Sequence, residues 1–121
     1  MTAEPRPWPT EIRSRDGGGT LVVTFDTAES FELSAEYLRV ESPSAEVKGH
    51  GPGQEVTLGG KRNVKIMSIE PVGNYAVKLT FDDMHSTGLY SWDYLAKLGR
   101  EHDEIWAAYL EKLEAKGLTR G

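Results

Sequence analysis

The stretch "FDDMHSTGLYSWDYL", residues 81–95, writes out again in longer form what the chain has already written as "FDTAESFELSAEYL", residues 25–38. Phe25-Asp26 stands against Phe81-Asp82, Ser30 against Ser86 and Leu33 against Leu89. After one inserted residue, Tyr90, the run Ser34-x-Glu36-Tyr37-Leu38 stands against Ser91-x-Asp93-Tyr94-Leu95. In both copies a serine precedes an acidic residue and a Tyr-Leu pair. A serine hydroxyl there can accept an otherwise unpaired amide of a first helical turn, and the acid is favoured by the positive end of the helix. The pattern predicts the same unit twice: strand, turn, strand, Ser-capped helix, with each Tyr-Leu pair turned onto the sheet.

The segments leading into the copies extend this reading. "EIRSRDGGGTLVVTFD", residues 11–26, reads as two strands around Asp16–Gly19, residues that tolerate the positive φ a hairpin turn needs. A third strand follows at 30–33. In "NVKIMSIEPVGNYAVKLTFDD", residues 63–83, Val64, Ile66 and Ser68 alternate, as do Tyr75, Val77, Leu79 and Phe81, with Gly73-Asn74 as the connection. The tail "HDEIWAAYLEKLEAKG" places Ile105, Trp106, Tyr109, Leu110 and Leu113 on one helical face, closed by Gly117. Residues 40–62, rich in Gly, Pro and Ser, read as a long loop with one short strand at Glu55–Leu58. Pro5, Pro7 and Pro9 keep the N-terminus out of a sheet interior, so order is expected from Glu11. The expected fold class is α+β, mainly β, with small antiparallel sheets, short Ser-capped helices and a C-terminal helix. It divides into a flexible arm at 1–10, a single domain at 11–116 and a tail at 117–121.

Composition narrows the chemistry. The 121 residues are 38% apolar and 27% charged, enough for one ordinary hydrophobic core, and no apolar run approaches the ~20 residues that span a bilayer. The start carries no export signal, so a cytoplasmic location is the expectation. With no cysteine there are no disulfides, thiol nucleophiles or thiolate-held metals. A net charge of −5 without a basic stripe argues against nucleic acid. Ser42 and Ser44 lie in no nucleophile elbow, which argues against a hydrolase. His85 beside Asp82 and Asp83 is raw material for a metal or acid–base site, but one histidine with neighbouring acids fits structural roles more often. His50, in "KGHGPGQ", lacks the Lys-Ser/Thr ending of a phosphate loop. His102 is expected in solvent. Tyr90, Trp92, Tyr94, Trp106 and Tyr109 are expected as a core wedge between helices and sheet.

The motifs "LRVESPSAEVKGHGPGQ" (38–54) and "IEPVGNYAVKLTFDDMHSTGLYSWDYLAKLG" (69–99) resemble the small bacterial domains of unknown function that are similar to the N-terminal domain of gamma-butyrobetaine hydroxylase. The likeness runs from about Thr20 to Gly99. It implies a compact, mainly β domain that sits beside an oxygenase barrel and does not hold the catalytic iron. In those enzymes three cysteines and a histidine bind zinc, and the resemblance places these ligands on Ser42, Ser44, Val47 and His85. Only His85 is retained, so no cofactor is expected beyond residual zinc or iron. Similar domains are also fused to Mrp-type ATPases that carry iron–sulfur clusters. The resemblance therefore implies a non-catalytic adaptor whose partner is another protein, an iron–sulfur carrier or an oxygenase. Its recognition surface is expected around Ser42, Ser44, His50, Tyr90 and Trp92. The alternatives are a metal-binding domain or enzyme fragment that uses His85 with Asp82 or Asp83, and plain oligomerisation through helix 103–116.

Overall fold

The computed structural model describes residues 8–43, 57–83 and 88–121. The first unit consists of β1 (Pro9–Arg15), a single 3-10 turn (Asp16–Gly18), β2 (Thr20–Phe25), β3 (Ser30–Ser34) and α1 (Ala35–Val40). The second consists of β4 (Ile66–Val72), β5 (Ala76–Phe81), β6 (Leu89–Ser91) and α2 (Trp92–Arg100), and α3 (His102–Ala115) follows. Each unit is a three-stranded antiparallel sheet with its second strand in the middle, β1-β2-β3 and β4-β5-β6. The fold is thus α+β and mainly β, and the echo in the sequence is an echo in space.

Local chemistry explains why each unit turns where it does. In the first hairpin Asp16, Gly17 and Gly18 all have positive φ (58°, 66° and 94°). Gly18 is further constrained by packing, because a Cβ there would lie 2.3 Å from the Ile66 carbonyl oxygen of β4, so only glycine lets the first unit touch the second. Ser34 Oγ accepts the Tyr37 amide at 3.0 Å and Ser91 Oγ accepts the Tyr94 amide at 3.1 Å, the two expected caps. Beyond α3, the Gly117 amide donates to Glu114 O and the Leu118 amide to Leu113 O, with Gly117 left-handed, a pairing that satisfies the last carbonyls of the helix.

Two boundaries differ from expectation. The first strand begins at Pro9 and not Glu11. Trp8 N donates to Asp26 Oδ1 at 3.1 Å while Asp26 N donates to Trp8 O at 2.8 Å, which carries the ladder past the proline. Pro9 is tolerated because β1 is an edge strand with a register shift between Pro9 and Glu11. At the other, Thr57 and Leu58 are not in a strand, and the rest of the expected Glu55–Leu58 strand lies outside the described residues.

The main core joins both sheets and both capped helices. Leu21, Val23, Phe25 and Leu33 from the first sheet meet Val77, Leu79, Phe81 and Tyr90 from the second, with Tyr37, Leu38, Leu95 and Leu98 from the helices. Phe31 lies flat against Gly99, where a Cβ would come within 2.4 Å of its ring. A smaller cluster of Val40, Tyr109 and Leu113, with Leu58 and Trp106 against it, docks α3 on the end of α1. The aromatic wedge is present: Tyr90 and Tyr109 are buried, and Trp92, Tyr94 and Trp106 pack partly buried against the core. Leu110, expected on the buried face of α3, is instead 38% exposed. His102 is half-buried and not free in solvent. Its ring sits edge-on to Tyr37 at 4.7 Å and stacks on Trp106 at 6.4 Å, because the first turn of α3 lies over α1.

Candidate functional site

Of the residues singled out by the sequence, Ser42, Asp82, Asp83 and Tyr90 lie where the end of α1 meets the turn after β5. All six residues of α1 are buried, including Glu36 and Arg39. Arg39 Nε donates to Asp83 Oδ2 at 2.8 Å, and Lys61 Nζ reaches the same oxygen at 2.7 Å. Asp82 takes a different role: its Oδ1 accepts the Lys65 amide at 3.0 Å, and its own amide donates to Lys65 O at 2.8 Å, so it seals the base of the sheet. Both carboxylates next to His85 are therefore engaged by the fold.

Ser42 is fully buried and hydrogen-bonded to the Tyr90 phenol. Its Oγ stands 2.6 Å from where a Cβ on Gly88 would be, so the stem of the His85 segment passes directly over it and needs glycine to do so. Tyr90 Oη donates to Leu38 O, and Tyr94 Oη donates to Glu41 O. Burial pushes the Tyr90 phenol well above its ordinary range, with the Ser42 hydrogen bond pulling weakly the other way. Burial, then the nearby Glu41 carboxylate, does the same to Tyr94. These phenols stay neutral and act as donors to the end of α1.

Of the four positions onto which the resemblance carries the zinc ligands, only Ser42 is described, and Gly88 packs against it. Ser44, Val47, His50 and His85 themselves lie outside the described residues. The donors that are described do not fit zinc of the family type. Ser42 offers only a neutral hydroxyl, a poor zinc ligand beside a thiolate, and Asp83 is held by two cations. Among the described residues no three histidine, aspartate or glutamate side chains converge.

The expected recognition surface needs a correction. Ser42 and Tyr90 are both 0% exposed and present nothing to a partner, because the inserted Tyr90 points into the core to reach the Leu38 carbonyl. Trp92 is partly buried; its Nε1 donates to Asn74 O at 2.9 Å, and its ring meets Trp8 edge-on at 6.3 Å. Two further aromatics at this end of the molecule lie outside the expected recognition surface. Trp8 is 49% exposed and Tyr75, whose carbonyl accepts the Trp92 amide, is 54% exposed. Their signals in the sequence were a tryptophan anchored between prolines and a tyrosine directly after a tight turn. A cavity of about 240 Å³ between α2 and α3 is lined by Gly99–Glu104, a glycine followed by charged side chains and His102.

The family described as gamma-butyrobetaine hydroxylase-like, N-terminal, matches residues 12–96. Two solution structures determined by NMR are similar to this chain. One is 44% identical over 96% of this chain and 91% of its own, with a TM-score of 0.82. The other is 46% identical over 99% and 90%, also with a TM-score of 0.82. A crystal structure of a protein of unknown function of the DUF971 family, from Acidithiobacillus ferrooxidans, is 35% identical over 80% of this chain and 98% of its own, with a TM-score of 0.65. No curated protein matches. No described helix is long and apolar enough to cross a membrane.

Proposed function

The chain belongs to the gamma-butyrobetaine hydroxylase-like N-terminal family, a family of unknown function, and from that membership we propose that it is a non-catalytic domain that binds another protein. The observation that carries this reading is the contrast between the two ends just described. At the family's metal position the described polar groups are consumed in holding the fold, whereas Trp8 and Tyr75 stand half-exposed beside Trp92. Half-exposed large aromatics are the residue type on which protein interfaces concentrate their binding energy. The partner class that the family resemblance implies is an iron–sulfur carrier or an oxygenase, with the domain in a cytoplasmic setting.

Affinity capture on the full chain tests this. One protein captured by the native chain and by Glu104→Ala, and lost with Trp8→Ala/Tyr75→Ala, is the expected result; an iron–sulfur carrier or oxygenase identified by mass spectrometry fits the narrower reading. An identical capture profile for all three proteins refutes the surface. Metal enters as residual binding only, since zinc would have to draw Asp83 away from Arg39 and Lys61. The dialysed protein is expected to hold far less than one zinc or iron per chain. One metal per chain, lost in His85→Ala, replaces the adaptor reading with the metal-binding one.

A further inference from the structure

Beyond α3 the chain reverses at Gly117 (φ 67°), and Leu118–Gly121 runs back along residues 59–62. Gly60 N donates to Thr119 O and Arg62 N to Arg120 O, both at 2.9 Å. Gly59 supplies the clearance, since a Cβ there would lie 2.8 Å from Thr119 O. Gly60 is left-handed too (φ 72°), so both pairing segments bend at glycines. Between them Arg120 grips Glu36 with two prongs, Nε to Oε2 at 2.9 Å and Nη2 to Oε1 at 2.7 Å, and its guanidinium carbon lies 5.2 Å over the Trp106 ring. The pair is lopsided: the Glu36 side chain is 5% exposed, the Arg120 side chain 37%. Next to the paired amides Lys61 carries its ammonium to Asp83.

We propose that Leu118–Gly121 is a latch. Closed, Arg120 neutralises Glu36 and holds residues 59–62 so that Lys61 sits on Asp83. Released, the latch and residues 59–62 open together, Lys61 leaves Asp83 to Arg39, and the two sheets stay folded. The latch is releasable because it is held from outside the main core: its described ties to the rest of the chain are two backbone hydrogen bonds, the Arg120–Glu36 pair and the contact of Arg120 with Trp106, and Leu118 is 40% exposed. Closed is the resting state because Glu36 is buried, and a buried carboxylate without its guanidinium is costly, which keeps the released state a minor one. The charge at the β5–β6 turn is thereby coupled to the position of a segment more than thirty residues away in sequence.

Amide hydrogen exchange on the full chain tests the device with Arg120→Ala and Arg120→Lys. Losing a charge-assisted pair is expected to speed exchange at Gly60 and Arg62 roughly tenfold to a hundredfold in the alanine variant. Lysine, which cannot reproduce the two-pronged grip, is expected to give an intermediate value. The amides of Val23 and Leu79, in the central strands, are expected to keep their native rates. Lys61→Ala is expected to speed Gly60 and Arg62 as well, since coupling runs both ways. Unchanged rates at Gly60 and Arg62, or equal acceleration at Val23 and Leu79, overturn the latch. If the alanine variant does not fold, the lysine variant decides by the same criteria.

Discussion

In the first unit every residue of the capped helix α1 is buried, whereas in the second α2 buries only Leu95, Ala96 and Leu98 and turns Asp93, Lys97 and Arg100 to solvent. The two helices start from nearly the same words and the same serine cap. What separates them is what the chain lays over each one: α3 and the C-terminal latch cover α1 through Val40, Glu36 and Tyr37. Between the two units the contacts are reciprocal. Tyr37 Oη donates to Leu98 O at the end of α2, and Tyr94 Oη donates to Glu41 O at the end of α1. Glu29, in the first strand-to-strand turn, pairs with Arg100 at the end of α2; Asp83, in the second, pairs with Arg39 in α1. One pair is exposed and the other part-buried, and they stand at different positions of the repeat, so the reciprocity of the tyrosines does not extend to the ion pairs. Helix identity is thus local, and helix burial is not.

The largest effect tests the symmetry itself. Leu38 and Leu95 are equivalent and both fully buried, so Leu38→Ala and Leu95→Ala should each lose ~3 kcal/mol in denaturant unfolding. A difference between them larger than their common loss would show that the two units are not packed alike. The next effect should split the units. Glu36→Gln weakens the grip of Arg120 and should cost ~1–2 kcal/mol, while Asp93→Asn, on an exposed position, should stay within ~0.5 kcal/mol. Equal costs would mean that the cover over α1 contributes nothing.

Smaller still, Ser34→Ala and Ser91→Ala should each cost ~1 kcal/mol, because each removes one cap to an amide of the first turn. If only one of the two is felt, the shared motif is not a shared device. The smallest effect is acid-dependent and confined to the exposed pair. Hydrogen bonds from Arg100, then from Thr27, hold Glu29 down at about 2 from its ordinary 4.5. A lowered folded value means stabilisation that is present above pH 4.5 and lost as pH falls through about 2. Stability measured across that window should fall less steeply in Arg100→Met than in the native chain. A matching slope would show that solvent screens the pair entirely.

Much of this architecture was legible before any coordinates. The two Ser-x-x-Tyr caps, the glycine-rich turn, the central parts of the strands and the Gly117 stop are legible because each rests on contacts within a few residues, whereas Val64 and Tyr75, expected in strands, lie before β4 and in the turn before β5. The start of β1 was misplaced because Pro9 looks unfit for a strand until Asp26, 18 residues ahead, reaches back to Trp8. The burial of Ser42, and of Tyr90 to its hydroxyl, is hidden for the same kind of reason. Polarity and a loop-like context say "outside" unless a buried acceptor is known to wait, and the Leu38 carbonyl, 52 residues away from Tyr90, is that acceptor.

The repeated unit, its caps and turns, the family likeness and the lack of thiol chemistry are all set locally along the chain. These follow from backbone sterics, hydrogen bonds over three or four residues, and composition. Only the tertiary structure decided that α1 and not α2 is covered, that Glu36 and Arg39 are buried with partners at Arg120 and Asp83, and that the open aromatics are Trp8 and Tyr75. The physical reason is that burial belongs to a surface and whatever covers it, and the covering residues stand far along the chain, where no local pattern can name them.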